Sequence, residues 1–286
     1  MRRFNLVEPR SIEDACKTLA SDDETKLIAG GTALLILIKH GILLPKTLVN
    51  LKKINGAAEI SFDPRSGLRI GGLATILEVE SSPVVRQHFP LFAMACHVVA
   101  NIRIRNMATI GGNLAHADSQ SDPPAALVAL DASVELSRRD GKRTVKLADF
   151  LIGSYETGLA HDEILTALTV PPPAANSRGT YLKFTTRSSE DRPCAGVAAW
   201  VRRANGAAGG VRVVVGAVSP APVVLSEPLS AGQRLTAEMI GDISRRAAAA
   251  VDPIDDLRGP ADYKRHIVEV LVRRALNECV AEEELA

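Results

Sequence analysis

The sequence predicts an α+β protein, in which two α/β subdomains precede a C-terminal α+β domain with a small antiparallel sheet. Two observations support the first part: a strand, a glycine pair and a helix follow one another near the N-terminus, and a second glycine pair lies about 80 residues later. Strand-like segments after a proline-rich stretch support the second part. The 286 residues suffice for about two domains, each with its own core.

The first subdomain is predicted over residues 1–55 as a β-α-β unit behind a short helix. Ser11 is a favourable N-cap for that helix, and Asp14 lies in its first turn. Gly30 and Gly31 separate a strand from the helix that follows it. The predicted elements are a helix at residues 10–20, a strand at 26–29, a helix at 33–39 ending at Gly41, and a strand at 48–51.

The middle subdomain is predicted over residues 56–175, with a second glycine turn at Gly111 and Gly112. Ser82 and Pro83 are typical of the start of a helix. The predicted elements are a strand at residues 68–72, one helix at 82–101, a helix capped at 121–124 and ending near 130, and strands at 134–136 and 144–147 around a turn at 140–141.

The C-terminal domain is predicted over residues 176–286, after a linker at 171–179. Three consecutive prolines in that linker remove backbone donors and keep the chain extended, so the domain boundary is placed there. A turn at Asn205 and Gly206 joins two predicted strands. The predicted elements are strands at 196–201 and 209–218 and helices at 244–250 and 263–279.

Composition argues against several classes of function. The 34 Lys and Arg residues nearly balance 33 Asp and Glu, and aromatic residues are only 3%, so no nucleic-acid surface is predicted. Cysteines occur singly, at 16, 96, 194 and 279, which predicts no zinc, iron–sulfur or other metal site in this chain. No membrane span or secretory signal is predicted, and the unpaired thiols fit a reducing compartment, so the expected location is the cytoplasm.

The two glycine pairs are the candidate binding residues. A diphosphate needs backbone N–H groups at close range, which favours glycine, and the start of a helix adds its positive end. Either pair alone is more often an ordinary tight turn. Neither pair has the spacing of a Rossmann or P-loop motif, so those two readings are disfavoured.

The residues around both pairs carry a resemblance to a known family. Residues 28–35, Ile-Ala-Gly-Gly-Thr-Ala-Leu-Leu, resemble an A-G-G-T-D-L motif, and residues 109–122 resemble a T-I-G-G-N-L motif followed by Ser-Asp. Both motifs are those of the FAD-binding medium subunits of molybdenum hydroxylases, which include carbon monoxide dehydrogenase and the xanthine dehydrogenase family. Further similar segments, at residues 164–171, 181–184, 196–199, 258–264 and 273–275, extend the resemblance over nearly the whole chain.

This resemblance implies an FAD-binding fold of the vanillyl-alcohol-oxidase (PCMH) type, with FAD between the first and middle subdomains and the C-terminal domain near the flavin. The two motifs would surround the diphosphate and ribityl chain. Val99 would line the flavin pocket, Asp122 would accept hydrogen bonds from cofactor hydroxyls, Leu165 would pack on a ring, and Lys183 would reach the isoalloxazine edge. The implied FAD-binding residues are Ile28, Ala29, Gly30, Gly31, Thr32, Ala33, Leu34, Val99, Thr109, Ile110, Gly111, Gly112, Asn113, Asp122, Leu165 and Lys183.

The resemblance also implies partners. A large subunit would hold molybdenum-molybdopterin, a small subunit would hold [2Fe–2S] clusters, and the complex would be a dimer of heterotrimers. This chain would pass electrons from the clusters through FAD to an external acceptor. No catalytic acid or base is predicted in it.

Two departures from the family pattern keep alternatives open. Ala33 stands where the family usually has Asp, and residues 188–194 lack the aromatic residue that carbon monoxide dehydrogenase-like members place near the flavin. One alternative is a stand-alone FAD-dependent oxidoreductase with Asp191 or Tyr181 as its acid or base. A second is an interaction protein without cofactor, for which Ala33 is the only hint.

Overall fold

The computed structural model describes residues 3–203 and 209–281, in which helices and strands alternate along the chain. The strands are β1 (Asn5–Val7), β2 (Thr25–Ile28), β3 (Thr47–Asn50), β4 (Ile60–Asp63), β5 (Gly67–Gly71), β6 (Ser133–Arg138), β7 (Gly141–Lys146), β8 (Leu151–Gly153), β9 (Glu156–Thr157), β10 (Ile164–Val170), β11 (Ser177–Phe184), β12 (Ala195–Arg202), β13 (Gly209–Gly216) and β14 (Val223–Leu229). The helices are α1 (Ile12–Leu19), α2 (Leu34–Lys39), α3 (Ile76–Ser81), α4 (Pro83–His88), α5 (Pro90–His97), α6 (Ile102–Arg105), α7 (Ile110–His116), α8 (Pro123–Ala129), α9 (Leu147–Phe150), α10 (Ala237–Ala250) and α11 (Ala261–Ala281), with a 3₁₀ turn at Leu51–Lys53. Over these ranges no helix is long and apolar enough to cross a membrane.

The N-terminal part is a three-stranded parallel sheet in the order β1-β3-β2. Helix α1 begins at the predicted N-cap, where the Ser11 hydroxyl accepts the backbone N–H of Asp14 at 3.1 Å. Its buried residues Ala15, Cys16 and Leu19 form an N-terminal core with residues of β3 and β10. The predicted β-α-β unit is confirmed.

The middle part is an antiparallel sheet in the order β4-β5-β10-β6-β7. Alternating apolar residues of its strands, such as Leu68 and Ile70 of β5, are buried against the helices that follow β5 and against α8. This central core includes the large side chains Phe92, Leu127 and Leu136. The two strands predicted around residues 140–141 are confirmed as the hairpin of β6 and β7.

The C-terminal part is an antiparallel sheet in the order β11-β12-β13-β14. Neighbouring residues of one strand point to opposite faces, so Val214 of β13 belongs to the central core while Val213 belongs to a C-terminal core with α10 and α11. The sheet is therefore buried on both faces and joins the two cores.

The single helix predicted over residues 82–101 is wrong. Two helices, α4 and α5, occupy the segment, because Phe89 is not helical (φ −134°, ψ 52°) and Pro90 begins a new helix. A proline disfavours helical geometry in the residue before it and has no N–H to continue the ladder. Asn101 does not end a helix; its side chain caps the start of α6.

Other predicted boundaries change at the C-terminal side. The linker predicted to end at residue 179 ends earlier, since β11 begins at Ser177 and pairs Gly179 with Trp200. Both C-terminal helices are longer than predicted. The turn predicted at Asn205 and Gly206 lies outside the described residues.

Candidate functional site

A cavity of about 290 Å³ lies between the loop that follows β2 and the start of α7, near the lower limit for ligand pockets in proteins. Most of the residues predicted to bind FAD line it: Ile28, Ala29, Gly30, Gly31, Thr32, Ala33, Leu34, Thr109, Gly111, Gly112, Asn113 and Leu165. The structure thus brings the two glycine motifs together at one site.

The first glycine pair offers hydrogen-bond donors that the protein itself does not use. Within the described part of the chain, the backbone N–H groups of residues 30–33 donate no hydrogen bond, and Ala33 gives α2 no side-chain cap. Gly31 has a φ of +76°, which side chains rarely allow. Gly30 packs so closely that a Cβ atom would lie 2.0 Å from the carbonyl oxygen of Met107. These half-buried donors are suited to an anionic ligand.

The second glycine pair differs, and its prediction as a turn is wrong. Gly111 and Gly112 lie in the first turn of α7, where the Thr109 hydroxyl caps the helix by accepting the N–H of Gly112 at 3.1 Å. The N–H of Gly111 donates to the carbonyl of Gly72 at 2.9 Å. The sequence-based expectation of free N–H groups therefore holds for the first pair only.

Each glycine of the second pair has its own steric role. A Cβ atom on Gly111 would lie 2.6 Å from the Gly72 carbonyl oxygen, so glycine allows two backbone segments to touch. A Cβ atom on Gly112 would lie 2.8 Å from the Thr109 hydroxyl oxygen and 4.0 Å from the Cβ of Ala29. Gly112 therefore faces the first motif across the cavity.

The polar side chains of the second motif already make some hydrogen bonds within the protein. The Asn113 amide is hydrogen-bonded to the Ser121 hydroxyl, with distances of 2.8 and 2.9 Å. The Thr109 hydroxyl accepts one N–H and keeps its own hydrogen available for a ligand. Ile110 does not face the cavity, because it is buried in the central core.

Asp122, Lys183 and Val99 lie outside the cavity lining. The Lys183 ammonium donates to Asp122 at 3.1 Å and to the carbonyl of Val98 at 2.8 Å, and the Tyr181 hydroxyl donates to Asp122 at 2.9 Å. Asp122 stands at the N-cap position of α8 but makes no cap hydrogen bond. Burial raises the pKa of Asp122 to about 6, against the opposing effects of Lys183 and Tyr181. Contact of these residues with FAD stays a prediction.

The cavity is electrically neutral apart from its backbone dipoles. Among the described residues that line it, His116 is the only titratable one, and burial lowers its pKa, so the imidazole is uncharged near neutral pH. The His116 ring lies 5.1 Å from the ring of Tyr155, centre to centre. With free N–H groups for a diphosphate, apolar walls for rings and no carboxylate to repel the ligand, the lining fits FAD.

Some lining residues were missed by sequence reasoning: Leu27, Leu51, Gly72, Leu73, Ala108, Ala115, Leu159 and Ile164. The pair Gly71-Gly72 was the available signal. A Cβ atom on Gly72 would lie 2.6 Å from the carbonyl oxygen of Leu165, so this glycine also permits a close backbone contact beside the cavity.

The segment at residues 188–194, which departs from the family pattern, contacts both the second glycine motif and the C-terminal domain. Arg192 forms an ion pair with Asp118 at 3.0 Å, just beyond α7. Cys194 is buried, with its thiol 3.9 Å from the Arg258 carbonyl oxygen. Burial raises the pKa of this thiol, which keeps it protonated and unreactive.

Comparison with known proteins agrees with this geometry. Residues 2–173 match the family model described as the FAD binding domain in molybdopterin dehydrogenase, and residues 180–279 match the CO dehydrogenase flavoprotein C-terminal domain.

Similar proteins cover the chain almost completely. The nicotine 6-hydroxylase medium subunit of Paenarthrobacter nicotinovorans is 34% identical, over 97% of this chain and 98% of that protein. The carbon monoxide dehydrogenase medium chain of Hydrogenophaga pseudoflava is 32% identical, over 96% of each chain. A solved structure of carbon monoxide dehydrogenase from the same organism superposes with a TM-score of 0.91 at 32% identity, covering 98% of both chains. The chain therefore belongs to the family of FAD-binding medium subunits of molybdenum hydroxylases.

Proposed function

We propose that this chain carries FAD as the electron-transfer subunit of a molybdenum-containing dehydrogenase. It would receive electrons from [2Fe–2S] clusters of a partner subunit and deliver them to an external acceptor. Bound FAD supplies reversible electron transfer. The observation that carries the proposal is the set of unused N–H groups at residues 30–33. They face a neutral, mostly apolar cavity, in a chain that is similar to a medium subunit over 97% of its length.

In this proposal the backbone does most of the binding. Residues 30–33 donate N–H groups to the diphosphate, and the Thr109 hydroxyl donates from the opposite wall. Leu165 offers an apolar surface to a ring. Asp122 and Lys183 act at the flavin end as a hydrogen-bonded pair, and Val99 acts there beside Val98, whose carbonyl accepts from Lys183.

We also propose how this chain assembles with partner subunits, from the complexes and cofactor that the relatives' descriptions name. One relative is a subunit of the 6-hydroxypseudooxynicotine dehydrogenase complex, and another solved relative is described as a Cu,Mo-CO dehydrogenase. By analogy, this chain would join a large molybdopterin subunit and a small [2Fe–2S] subunit as a dimer of heterotrimers in the cytoplasm. Within this chain, residues 1–175 would form the FAD-binding domain, which is divided near residue 55, and residues 176–286 would form the C-terminal domain.

The alternative of a stand-alone oxidoreductase finds less support. It requires an acid or base that can exchange a proton with a substrate over the flavin. Tyr181 is buried and donates to Asp122, while Asp191 is exposed and accepts the N–H of Ser188 at 3.3 Å.

The test is FAD uptake by the purified full-length chain, followed by absorbance and fluorescence titration. We expect one FAD per chain. Gly31→Val should weaken binding about tenfold or more, because a β-branched residue cannot adopt a φ of +76° without strain that disturbs the N–H groups. Gly232→Val is the matched control, since Gly232 has a φ of +75° and open space around it. Failure of the wild-type chain to bind FAD would refute the proposal.

A further inference from the structure

We propose that Arg105 and Glu80 are positioning residues for the cofactor site, although neither lines the cavity. Their buried ion pair fixes the loop at residues 98–101 on one side and, on the other, the end of α6 that leads to Ala108 in the cavity wall. The inference deepens the proposed function and rests on it.

The ion pair is well shielded from solvent, and both carboxylate oxygens of Glu80 have partners. Glu80 of α3 and Arg105 of α6 meet with Nε and Oε2 2.8 Å apart, and their side chains are only 10% and 12% exposed. The other carboxylate oxygen of Glu80 lies 2.7 Å from Nδ1 of His97. A buried pair of this kind contributes less to stability than to the choice of one arrangement, because desolvation offsets its attraction.

Arg105 also holds a strained stretch of backbone. Its Nη1 donates to the carbonyl oxygens of Val99 at 3.0 Å and of Ala100 at 3.2 Å. Ala100 has a φ of +41°, in the left-handed region that alanine seldom occupies. Charge-assisted hydrogen bonds to two successive carbonyls favour this conformation.

A second buried cation holds the same loop from the other side. The Lys183 ammonium, paired with Asp122, donates to the carbonyl of Val98. Three successive carbonyls, those of residues 98–100, therefore accept hydrogen bonds from two buried cations. The position of the Lys183 ammonium depends on the loop that Arg105 holds.

Arg105 is also connected to the cavity wall, through the end of its own helix. It is the last residue of α6, and the N–H of Ala108, which lines the cavity, donates to the Ile104 carbonyl at 2.7 Å. The intervening Met107 carbonyl is the group against which Gly30 packs. The hydrogen-bond partners of the Arg105 guanidinium are therefore Glu80 and the loop carbonyls.

The experiment measures FAD affinity and the visible spectrum of bound flavin for Arg105→Met in the full-length chain. We expect the dissociation constant to rise about tenfold or more, with altered fine structure of the flavin bands, because two charge-assisted hydrogen bonds to the loop are lost. Glu80→Gln keeps an acceptor oxygen and should cause a smaller change. Arg246→Met, which breaks the ion pair between the exposed Arg246 of α10 and Glu227 of β14, is the control and should leave both readouts unchanged.

Rescue separates positioning from general destabilisation. Glycine adopts a left-handed conformation without strain, so Ala100→Gly should recover about fivefold of the affinity that Arg105→Met loses. An elevated dissociation constant that Ala100→Gly leaves unchanged would contradict action through Ala100.

The outcomes distinguish this inference from the proposed function. Wild-type binding of FAD, with unchanged affinity and spectrum in Arg105→Met, would overturn the positioning role and leave the proposed function intact. Absence of FAD binding in the wild type would refute both. If Arg105→Met does not fold, Arg105→Lys, which keeps the charge but lacks the planar fork, is judged by the same two readouts.

Discussion

At the scale of single residues, two neighbouring glycines of one motif are required for different structural reasons. Gly111 is buried and lets the start of α7 touch the backbone at Gly72, whereas Gly112 is exposed toward the first motif. The sequence predicts both as binding residues on their motif alone. Which N–H groups are free could not be read from it, because the Gly72 carbonyl that accepts from Gly111 comes from a distant segment.

Alanine at these two positions should separate folding from binding. Gly111→Ala should lower the free energy of unfolding by roughly 1–3 kcal/mol, because its methyl group would meet backbone atoms that cannot move aside. Gly112→Ala should lower stability less, because its methyl group would displace only the Thr109 hydroxyl and no backbone atom, and it should weaken FAD binding by narrowing the cavity. Urea unfolding and FAD titration measure the two effects.

Gly241→Ala is the control for both variants. Gly241 lies in α10, away from the cavity, and its nearest neighbour to a new methyl group is the flexible side chain of Arg245. This substitution should raise stability by about 0.5–1 kcal/mol through helix propensity, with unchanged FAD affinity. Equal losses of stability in Gly111→Ala and Gly112→Ala would contradict the distinction.

At the scale of elements, the sequence predicted those with strong local signals. The N-cap of α1 and the hairpin of β6 and β7 follow from residues within each segment. The break between α4 and α5 was missed because the apolar pattern continues across Pro90, and β11 was missed because its strand character depends on pairing with β12. Pro90 sets the first boundary locally, whereas tertiary contacts determine the second.

The hydrogen bonds between Asp122, at the start of α8, and β11 lead us to expect that stability depends on pH. The pKa of Asp122 is raised by burial to about 6, so the folded state binds its proton more tightly than the unfolded state does. The contribution of Asp122 to stability is therefore greatest at low pH and is lost as the pH rises through about 6. Relative to Asp122→Asn, the wild type should lose about 1 kcal/mol of unfolding free energy between about pH 5 and pH 8.

Chemical unfolding at several pH values measures this difference between wild type and Asp122→Asn. Subtracting the variant removes the contributions of other titrating groups. A difference that grows with pH would mean that Lys183 outweighs burial and keeps the Asp122 carboxylate ionised in the fold.

At the scale of the whole molecule, the C-terminal sheet is a shared layer. One of its faces completes the central core and the other completes the C-terminal core. The predicted fold class includes the small antiparallel sheet, and the family resemblance supplies its place after the FAD-binding region. The sequence did not show that the sheet is buried on both faces, because β11 and β14 were not recognised as strands.

A sheet shared in this way should make the chain unfold as one unit. Val213→Ala and Val214→Ala remove equal volumes from adjacent, fully buried positions that face different cores. Each should shift the same single thermal transition and cost roughly 2 kcal/mol. Two resolved transitions in calorimetry, with each variant lowering only one of them, would show that the cores unfold independently.

The unused N–H groups at residues 30–33 bear on how this site tolerates evolutionary change. Donors that belong to the main chain persist when side chains are replaced, provided that the glycines keep the loop in its conformation. Ala33, which occupies the usual place of Asp, is one such replacement within the lining. Substitutions of side chains around such a site would change its shape and polarity. The main-chain N–H groups that would hold the cofactor's diphosphate would remain, because they do not depend on the side chains.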